Sequence, residues 1–223
     1  MIIDLDLSNR AVVVLGGGNQ AERRVKAVLQ EKRGARITVL SASPSDRIRE
    51  WAREGKVRLI HGDVQDGSFI DDHNPDIVIA ATNDPGINDM AVSAARKKAG
   101  GGRILAYRSD DHTSSDFSHP SVIRLDGGVT VAVFTGGQSP AVSMEIRRRA
   151  EAVLRGIVTP ETVAQLRIQD AVRRKARAEM PAQAERKRLL DDIMADRAVD
   201  RLIRDGLLKE AEERAMSMLR GRL

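Results

Sequence analysis

The chain has 223 residues, of which 41% are hydrophobic and 31% charged, enough for one large domain or two modest ones. It contains no cysteine, which excludes disulfides, thiolate zinc sites and cysteine nucleophiles. No segment approaches the roughly 20 consecutive apolar residues of a membrane span, and the first residues lack the basic and apolar regions of a signal peptide. We therefore expect no membrane association and a cytoplasmic location.

The net charge of +5 is compatible with an anionic ligand. Acidic and basic residues are interspersed, and aromatic residues, on which single-stranded nucleic acids stack, make up 2% of the chain. We therefore expect no nucleic-acid partner. A small polycarboxylate would use the same positive charge.

The first two-thirds of the chain alternate short apolar runs with helical patterns. Apolar runs bounded by turn residues are typical of strands buried on both faces of a parallel sheet. The helical patterns between them predict a doubly wound α/β domain. The predicted strands are residues 11–15, 36–40, 57–60, 77–81 and 103–106, and the predicted helices are residues 21–31, 45–54 and 87–99.

A glycine-rich loop follows the first predicted strand and opens the first helix. It fits the G-x-G-x-x-G/A fingerprint in the strand–turn–helix context that this motif needs. Gly16 makes the tight turn, Gly18 lets the backbone approach a pyrophosphate, and Ala21 permits close packing of helix and strand. The helix N-terminus adds N–H donors and partial positive charge. The predicted dinucleotide site comprises Gly16, Gly17, Gly18, Asn19, Gln20 and Ala21.

The acidic residue that usually binds the ribose about 20 residues later is absent. The second predicted strand runs instead into Leu40-Ser41-Ala42-Ser43. Ser41 or Ser43 can bond the ribose, whereas Arg47 can equally meet a 2′-phosphate. The spacing therefore leaves both NAD and NADP open, and Ser41 is included in the predicted site.

The loop after the fourth predicted strand is a second candidate contact. It contains Ala81, Thr82 and Asn83. Ligands of open α/β sheets bind at the carboxyl ends of the strands, where small residues let a cofactor lie against the backbone. We predict that these three residues contact the cofactor.

The pattern changes after residue 110. Residues 121–134 predict a hairpin with an Asp-Gly-Gly turn. Ser139 and Pro140 are typical of the N-cap and first position of a helix, which we expect to end near residue 155, with Gly156 beyond it. The remainder predicts charged helices with interrupted apolar stripes and no strand.

The order of these motifs resembles that of the precorrin-2 dehydrogenase and sirohydrochlorin ferrochelatase family, the dehydrogenase–chelatase part of siroheme synthases. The resemblance covers roughly residues 1–155, and its most specific piece is the strand that ends in Thr-Gly-Gly-x-Ser-Pro. The matching pieces are Asp6-Leu7, residues 14–18 with 21–24, residues 34–39, residues 80–85 with Asn88, Asp110-Asp111, and residues 131–140.

The resemblance implies an NAD-dependent oxidation of precorrin-2 to sirohydrochlorin, and in some members the insertion of ferrous iron. The family's key aspartate corresponds to Asp110, which becomes the candidate proton acceptor. The Asn-Val-Val that usually precedes it is replaced by Tyr107-Arg108-Ser109. Gly136, Gly137 and Ser139 are candidate substrate-binding residues, because a helix N-terminus can receive a tetrapyrrole carboxylate. No spacing of histidines and acids matches a metal site.

The predicted fold class is therefore α/β, with an N-terminal Rossmann-type doubly wound parallel sheet, a small α+β segment and a C-terminal helical region. The parts are an NAD-binding domain (1–112), a dimerisation and substrate segment (113–155) and a helical domain (156–223). We expect a homodimer, because the apolar stripes of the tail need a partner and the resemblance implies one. Fold alone does not define function; another NAD(P)-dependent oxidoreductase or a non-catalytic dinucleotide sensor stays open.

Overall fold

The computed structural model describes residues 2–30, 34–98 and 104–223. The chain forms two compact units, which divide between His119 and Pro120. No helix within the described residues is both long enough and apolar enough to cross a membrane.

The first unit is built on a five-stranded parallel sheet in the order β3-β2-β1-β4-β5. The order reverses at β1, from which the chain runs outward first through β2 and β3 and then through β4 and β5. This reversal creates a crevice at the carboxyl ends of the strands, where ligands of such sheets bind. The strands are β1 (Ala11–Leu15), β2 (Arg36–Leu40), β3 (Arg58–Ile60), β4 (Ile77–Ala80) and β5 (Leu105–Arg108), and the helices are α1 (Asn19–Leu29), α2 (Asp46–Arg53), α3 (Phe69–His73) and α4 (Pro85–Lys97).

Side chains of the central strands alternate between two hydrophobic clusters, one on each face of the sheet. Val12 and Val14 pack on the side of α1 and α2, whereas Val13 and Leu15 pack on the side of α3 and α4. Both faces are covered, so β1 and β4 are almost wholly apolar. The predicted α/β fold class is confirmed.

Strand β5 begins and ends two residues later than predicted, and Arg103 of the predicted strand lies outside the described residues. Polar partners inside the unit allow Tyr107 and Arg108 to extend the strand. The hydroxyl of Tyr107 accepts from Arg24 at 2.7 Å, and the Arg108 N–H donates to the Ser115 hydroxyl at 2.9 Å.

An aromatic cluster extends the first unit to residue 119. The rings of Phe117 and His119 lie 5.5 and 4.7 Å from that of Tyr107. Burial lowers the pKa of His119 to about 3. Phe117 packs against the hydrophobic core of the sheet, which explains why residues 113–119 lie in the first compact unit. The division into the parts 1–112, 113–155 and 156–223 stays a prediction.

The second unit begins with the predicted hairpin and continues as helices. Strands β6 (Ser121–Arg124) and β7 (Thr130–Val133) are antiparallel and are joined by a 3-10 turn over Asp126–Gly128. The helices are α5 (Pro140–Ile157), α6 (Pro160–Glu179), α7 (Gln183–Ala195), α8 (Arg197–Arg204) and α9 (Leu208–Arg220).

Helix α5 ends at Ile157, two residues after the predicted end, so the predicted position of Gly156 beyond the helix is wrong. The chain turns at Thr159, because a residue before proline is driven out of the helical region. Thr159 is extended and its hydroxyl accepts from the Thr162 N–H, which caps α6. The proline, and not the glycine, therefore sets the boundary.

The apolar stripes of the tail pack mainly against one another. Leu189, Ile193 and Leu219 are completely buried in a cluster with the α6 residues Ile168 and Val172. The helices α6 to α9 therefore bury most of their apolar residues against one another, although Met194, Leu207 and Leu208 of the same stripes stay exposed. Most of the predicted stripes thus need no partner molecule.

Candidate functional site

A pocket of about 280 Å³ lies at the carboxyl ends of the strands, at the point where the strand order reverses. Four loops line it, from β1, β2, β3 and β4. Seven of the predicted cofactor residues belong to its lining, which consists of Gly16, Gly17, Gly18, Leu40, Ser41, Ala42, Ser43, Gly62, Asp63, Val64, Ala81, Thr82, Asn83 and Ile87.

The three glycines have different surroundings. A Cβ on Gly16, whose φ is +106°, would lie 2.4 Å from the Ala81 carbonyl oxygen. A Cβ on Gly17 would lie 2.3 Å from the Ser41 hydroxyl, so both positions require glycine for the packing of the loops. A Cβ on Gly18 would meet no protein atom within 4 Å. Gly18 lines the pocket, and the space beside it is free of protein atoms, as the close approach of a pyrophosphate to the backbone would require.

The N-terminus of α1 follows this glycine. Gly18 is the N-cap residue and provides no side-chain cap. Among the described residues, no hydrogen-bond partner is found for the N–H groups of Asn19 and Gln20. Such N–H groups are donors for a phosphate. Ala21 is completely buried in the core between α1 and the sheet, which is the packing role predicted for it.

Glu22 connects the start of α1 to the loop after β2. Its carboxylate accepts from the Ser45 hydroxyl at 2.9 Å, and the Ser45 N–H donates to the Gly17 carbonyl at 2.8 Å. Glu22 therefore joins the start of α1 to the loop that follows β2 and fixes the backbone at Gly17.

The loop after β4 is fixed by Asn88, a completely buried residue of α4. Its amide oxygen accepts from the Thr82 N–H at 3.0 Å and from the Thr82 hydroxyl at 2.8 Å. Its amide nitrogen donates to the Thr82 carbonyl at 3.1 Å. All three polar groups of Thr82 are thus directed at one side chain, which fixes the backbone from Ala81 to Asn83 at the pocket wall.

Asp110 lies just beyond β5 and forms an ion pair with Arg108, the last residue of that strand. Arg108 Nε donates to one carboxylate oxygen at 3.0 Å and Nη2 to the other at 2.9 Å. Nη1 of the same guanidinium donates to Asp89 at 2.9 Å. The Arg108 side chain is 11% exposed and that of Asp110 is 31% exposed. A bidentate pair of this kind fixes the plane of the carboxylate.

The Arg108 guanidinium holds the pKa of Asp110 below its usual value, because its hydrogen bonds and charge favour the ionised carboxylate over the opposing effect of desolvation. Asp111 has a separate role. It accepts from the Thr113 N–H, the Thr113 hydroxyl and the Ser114 hydroxyl, which lowers its pKa to about 2 and forms the next turn. The two adjacent carboxylates therefore have different partners.

The predicted substrate-binding residues lie in the second unit. Gly136 and Gly137 have φ values of +65° and +75° and form a turn after β7. The Ser139 hydroxyl accepts from the Val142 N–H at 3.3 Å, which caps α5, with Pro140 at the first position of the helix. The cap is as predicted, and tetrapyrrole binding by Gly136, Gly137 and Ser139 stays a prediction.

Two features of the site were not predicted. Asp63 lines the pocket and lies three residues beyond Ile60, the last residue of β3; an acidic residue shortly after a predicted strand was the available signal. The pairing of Arg108 with Asp110 and Asp89 had a weaker signal, namely an arginine where the family usually has valine.

Fold and pocket together define a domain that binds a nicotinamide dinucleotide. The family described as "Putative NAD(P)-binding" matches residues 3–121, and the chain belongs to this family.

Curated relatives confirm the resemblance to siroheme synthases that the motifs indicate. The chain is 32% identical to siroheme synthase 2 of Cronobacter sakazakii over 66% of this chain and 30% of the relative. It is 30% identical to siroheme synthase 2 of Yersinia pestis over 97% of this chain and 43% of the relative. The chain thus spans less than half the length of these relatives. The solved structure of SirC, precorrin-2 dehydrogenase, has the same fold, with a TM-score of 0.69, 24% identity, and coverage of 96% of this chain and 99% of that one.

Proposed function

We propose that this chain is a precorrin-2 dehydrogenase, which oxidises precorrin-2 to sirohydrochlorin with NAD in siroheme biosynthesis. The observation that carries the proposal is the arrangement of a dinucleotide pocket at the β1–β4 crevice with a fixed, ionised carboxylate beyond the neighbouring strand β5. The names of the relatives support the choice of substrate.

The reaction removes two hydrogens from the macrocycle, one as hydride and one as a proton. Bound NAD supplies the hydride acceptor. The chain's own residues bind and orient: the N–H groups at the start of α1 face the pyrophosphate, and Asn88 fixes the loop around Thr82 against the cofactor.

Asp110 is the proposed proton acceptor. Loss of hydride leaves a positively charged macrocycle whose remaining proton is acidic, so a weakly basic carboxylate is sufficient to receive it. Arg108 keeps that carboxylate ionised and in one orientation. If the chain also inserts ferrous iron, which is then a second substrate, Asp110 is our candidate acceptor for the pyrrole protons that iron displaces.

The tetrapyrrole carries several carboxylates, and the Gly136–Ser139 turn is the proposed receptor for one of them. It precedes the 18-residue helix α5, whose N-terminus carries partial positive charge. The positive net charge of the chain favours the same polyanionic substrate. We propose no nucleic-acid partner, no membrane partner and a cytoplasmic location.

We also propose that the chain forms a homodimer through α5. Four apolar side chains on one face of this helix, Val142, Ile146, Val153 and Ile157, are 52%, 44%, 65% and 59% exposed. Their spacing places them within one stripe of the helix surface. A second copy of the chain is the proposed partner, because the same stripe on a symmetry-related α5 is self-complementary.

We expect a dimeric mass in analytical ultracentrifugation at micromolar concentration. Replacing Val153 and Ile157 together by aspartate should yield a monomer, since two charges on each partner would be buried without counter-ions. Replacing Met194, which is 65% exposed on α7, by aspartate provides the control and should leave the mass unchanged. A parent chain that sediments as a monomer would contradict the proposal.

A single assay tests the proposed activity against its alternatives. The purified chain is incubated with precorrin-2 and NAD, and the absorbance of sirohydrochlorin is followed. Formation of sirohydrochlorin only when both are present supports the proposal. Oxidation of other substrates but not of precorrin-2 would indicate a different oxidoreductase, and NAD binding without any turnover would indicate a sensor.

A further inference from the structure

One carboxylate in the dinucleotide pocket has no role in the proposed reaction. Asp63 lies just after β3, lines the pocket and has an exposed side chain. No hydrogen bond or ion pair joins its carboxylate to any residue that the structure describes. It is also the one charged residue among the described residues that line the pocket. Its charge is therefore available to a ligand.

The end of β2, where dinucleotide-binding domains usually place their ribose-binding acid, has no acidic side chain. Ser41 occupies that place and is 7% exposed. Its hydroxyl oxygen accepts from the Ser43 N–H at 3.2 Å and packs against Gly17. Ser41 thus holds the loop together, which leaves the recognition of the adenosine half without a carboxylate from β2.

Asp63 is close in space to the end of β2, because the chain after β2 and the chain after β3 are hydrogen-bonded to each other. The Ser41 N–H donates to the Ile60 carbonyl at 3.1 Å, and the Gly62 N–H donates to the Ser41 carbonyl at 3.3 Å. Asp63 is the next residue along the chain. Its position is therefore one residue away from a direct backbone contact with the end of β2.

The one cation proposed for a 2′-phosphate is engaged elsewhere. The Arg47 guanidinium pairs with Glu50 and lies 5.4 Å from the ring centre of Trp51. Arg47 is not part of the pocket lining, and no lysine or arginine is found among the described lining residues. A 2′-phosphate would thus bring its negative charge near Asp63 without a paired cation.

We propose that Asp63 is the residue that makes this pocket select NAD over NADP. Its carboxylate accepts hydrogen bonds from the hydroxyls of the adenosine ribose, and its charge repels a phosphate at the 2′ position. The inference rests on the dinucleotide pocket of the proposed function. In this pocket, Asp63 from the loop after β3 would take the role that an acidic residue at the end of β2 usually has.

The test measures dissociation constants of NAD and NADP for the whole chain by isothermal titration calorimetry. Asp63→Asn should weaken NAD binding and should shift the preference toward NADP by about tenfold, because a charge-assisted hydrogen bond is lost and a like-charge repulsion is removed. The control is Asp72→Asn, which removes the same charge from an exposed position of α3 outside the pocket. It should leave the ratio of the two constants unchanged.

The outcomes separate this inference from the proposed function. A parent chain that binds neither dinucleotide contradicts both. A parent that binds NADP more tightly than NAD overturns the role of Asp63, as does an Asp63→Asn variant with an unchanged ratio. An equal shift in Asp63→Asn and Asp72→Asn would also overturn it, because net charge would then be the cause. Thermal melting of both variants verifies that they are folded.

Discussion

Replacing Asp110 by asparagine should lower the rate of precorrin-2 oxidation by about 100-fold or more, which is the usual scale for a positioned acid–base group. The amide has nearly the same shape as the carboxylate but cannot accept the substrate proton. NAD binding should be preserved, because Asp110 does not line the dinucleotide pocket. Single-turnover absorbance with saturating NAD measures the rate directly.

Asp111→Asn is the matched control, since it makes the same chemical change one residue later. The Asp111 carboxylate is used by Thr113 and Ser114 within its own turn, so the effect on the rate should be much smaller. Iron insertion into supplied sirohydrochlorin should fall in Asp110→Asn if the chain has that second activity. Parental oxidation and insertion rates in Asp110→Asn would exclude a catalytic role for this residue.

The pH profile separates a proton acceptor from a structural residue. Arg108 lowers the pKa of Asp110, so the carboxylate stays ionised to a lower pH than an ordinary aspartate and should cause no loss of kcat/KM between pH 5 and 8. Arg108→Val, which restores the family's usual residue, removes the stabilisation of the ionised form. The pKa of Asp110 should then rise, and the acid limb of the pH profile should move to higher pH with it. A profile that is unchanged by this variant would contradict the assigned role of Arg108.

Replacing Gly18 by leucine should abolish detectable NAD binding while the fold is kept. A Cβ at Gly18 meets no protein atom within 4 Å, and the backbone there has φ −83°, which any residue adopts. The leucine side chain would instead occupy the space that the pyrophosphate needs. Calorimetric titration with NAD, together with a thermal melt of the variant, provides the measurement.

Gly34→Leu is the control for this substitution. Gly34 is exposed before β2, and a Cβ at this position also meets no atom within 4 Å. The variant should bind NAD like the parent chain. If Gly18→Leu melts normally and binds NAD as tightly as the parent, the glycine loop is not the pyrophosphate site.

The sequence predicted the first unit well because its signals are local. Continuous apolar runs identify β1 and β2 to the residue, and the glycine fingerprint requires the strand–turn–helix context that the structure has. The predicted bounds of β5 were two residues too early, because Tyr107 and Arg108 interrupt its apolar pattern. Their polar groups are satisfied by Arg24, Ser115, Asp89 and Asp110, which are distant in sequence or lie beyond the strand.

The parts that sequence reasoning missed depend on contacts between distant segments. The sequence of the tail shows apolar stripes, but it does not show that the residues of α6 cover them. The sequence pattern of α5 indicates its N-cap, whereas the exposure of its apolar stripe is visible only in the structure. Likewise, a missing acid after β2 is visible in the sequence, but its replacement from β3 depends on the hydrogen bond between Gly62 and Ser41. An ordering of strands is needed before these neighbours can be identified.

Oxidation of precorrin-2 by the purified chain with NAD under anaerobic conditions tests the proposed activity itself. We expect one NADH to form for each sirohydrochlorin, with both products followed by absorbance in the same cuvette. The Gly18→Leu variant should form neither product. If the parent chain binds NAD but forms no sirohydrochlorin or NADH above the level of an enzyme-free control, the chain is not a precorrin-2 dehydrogenase.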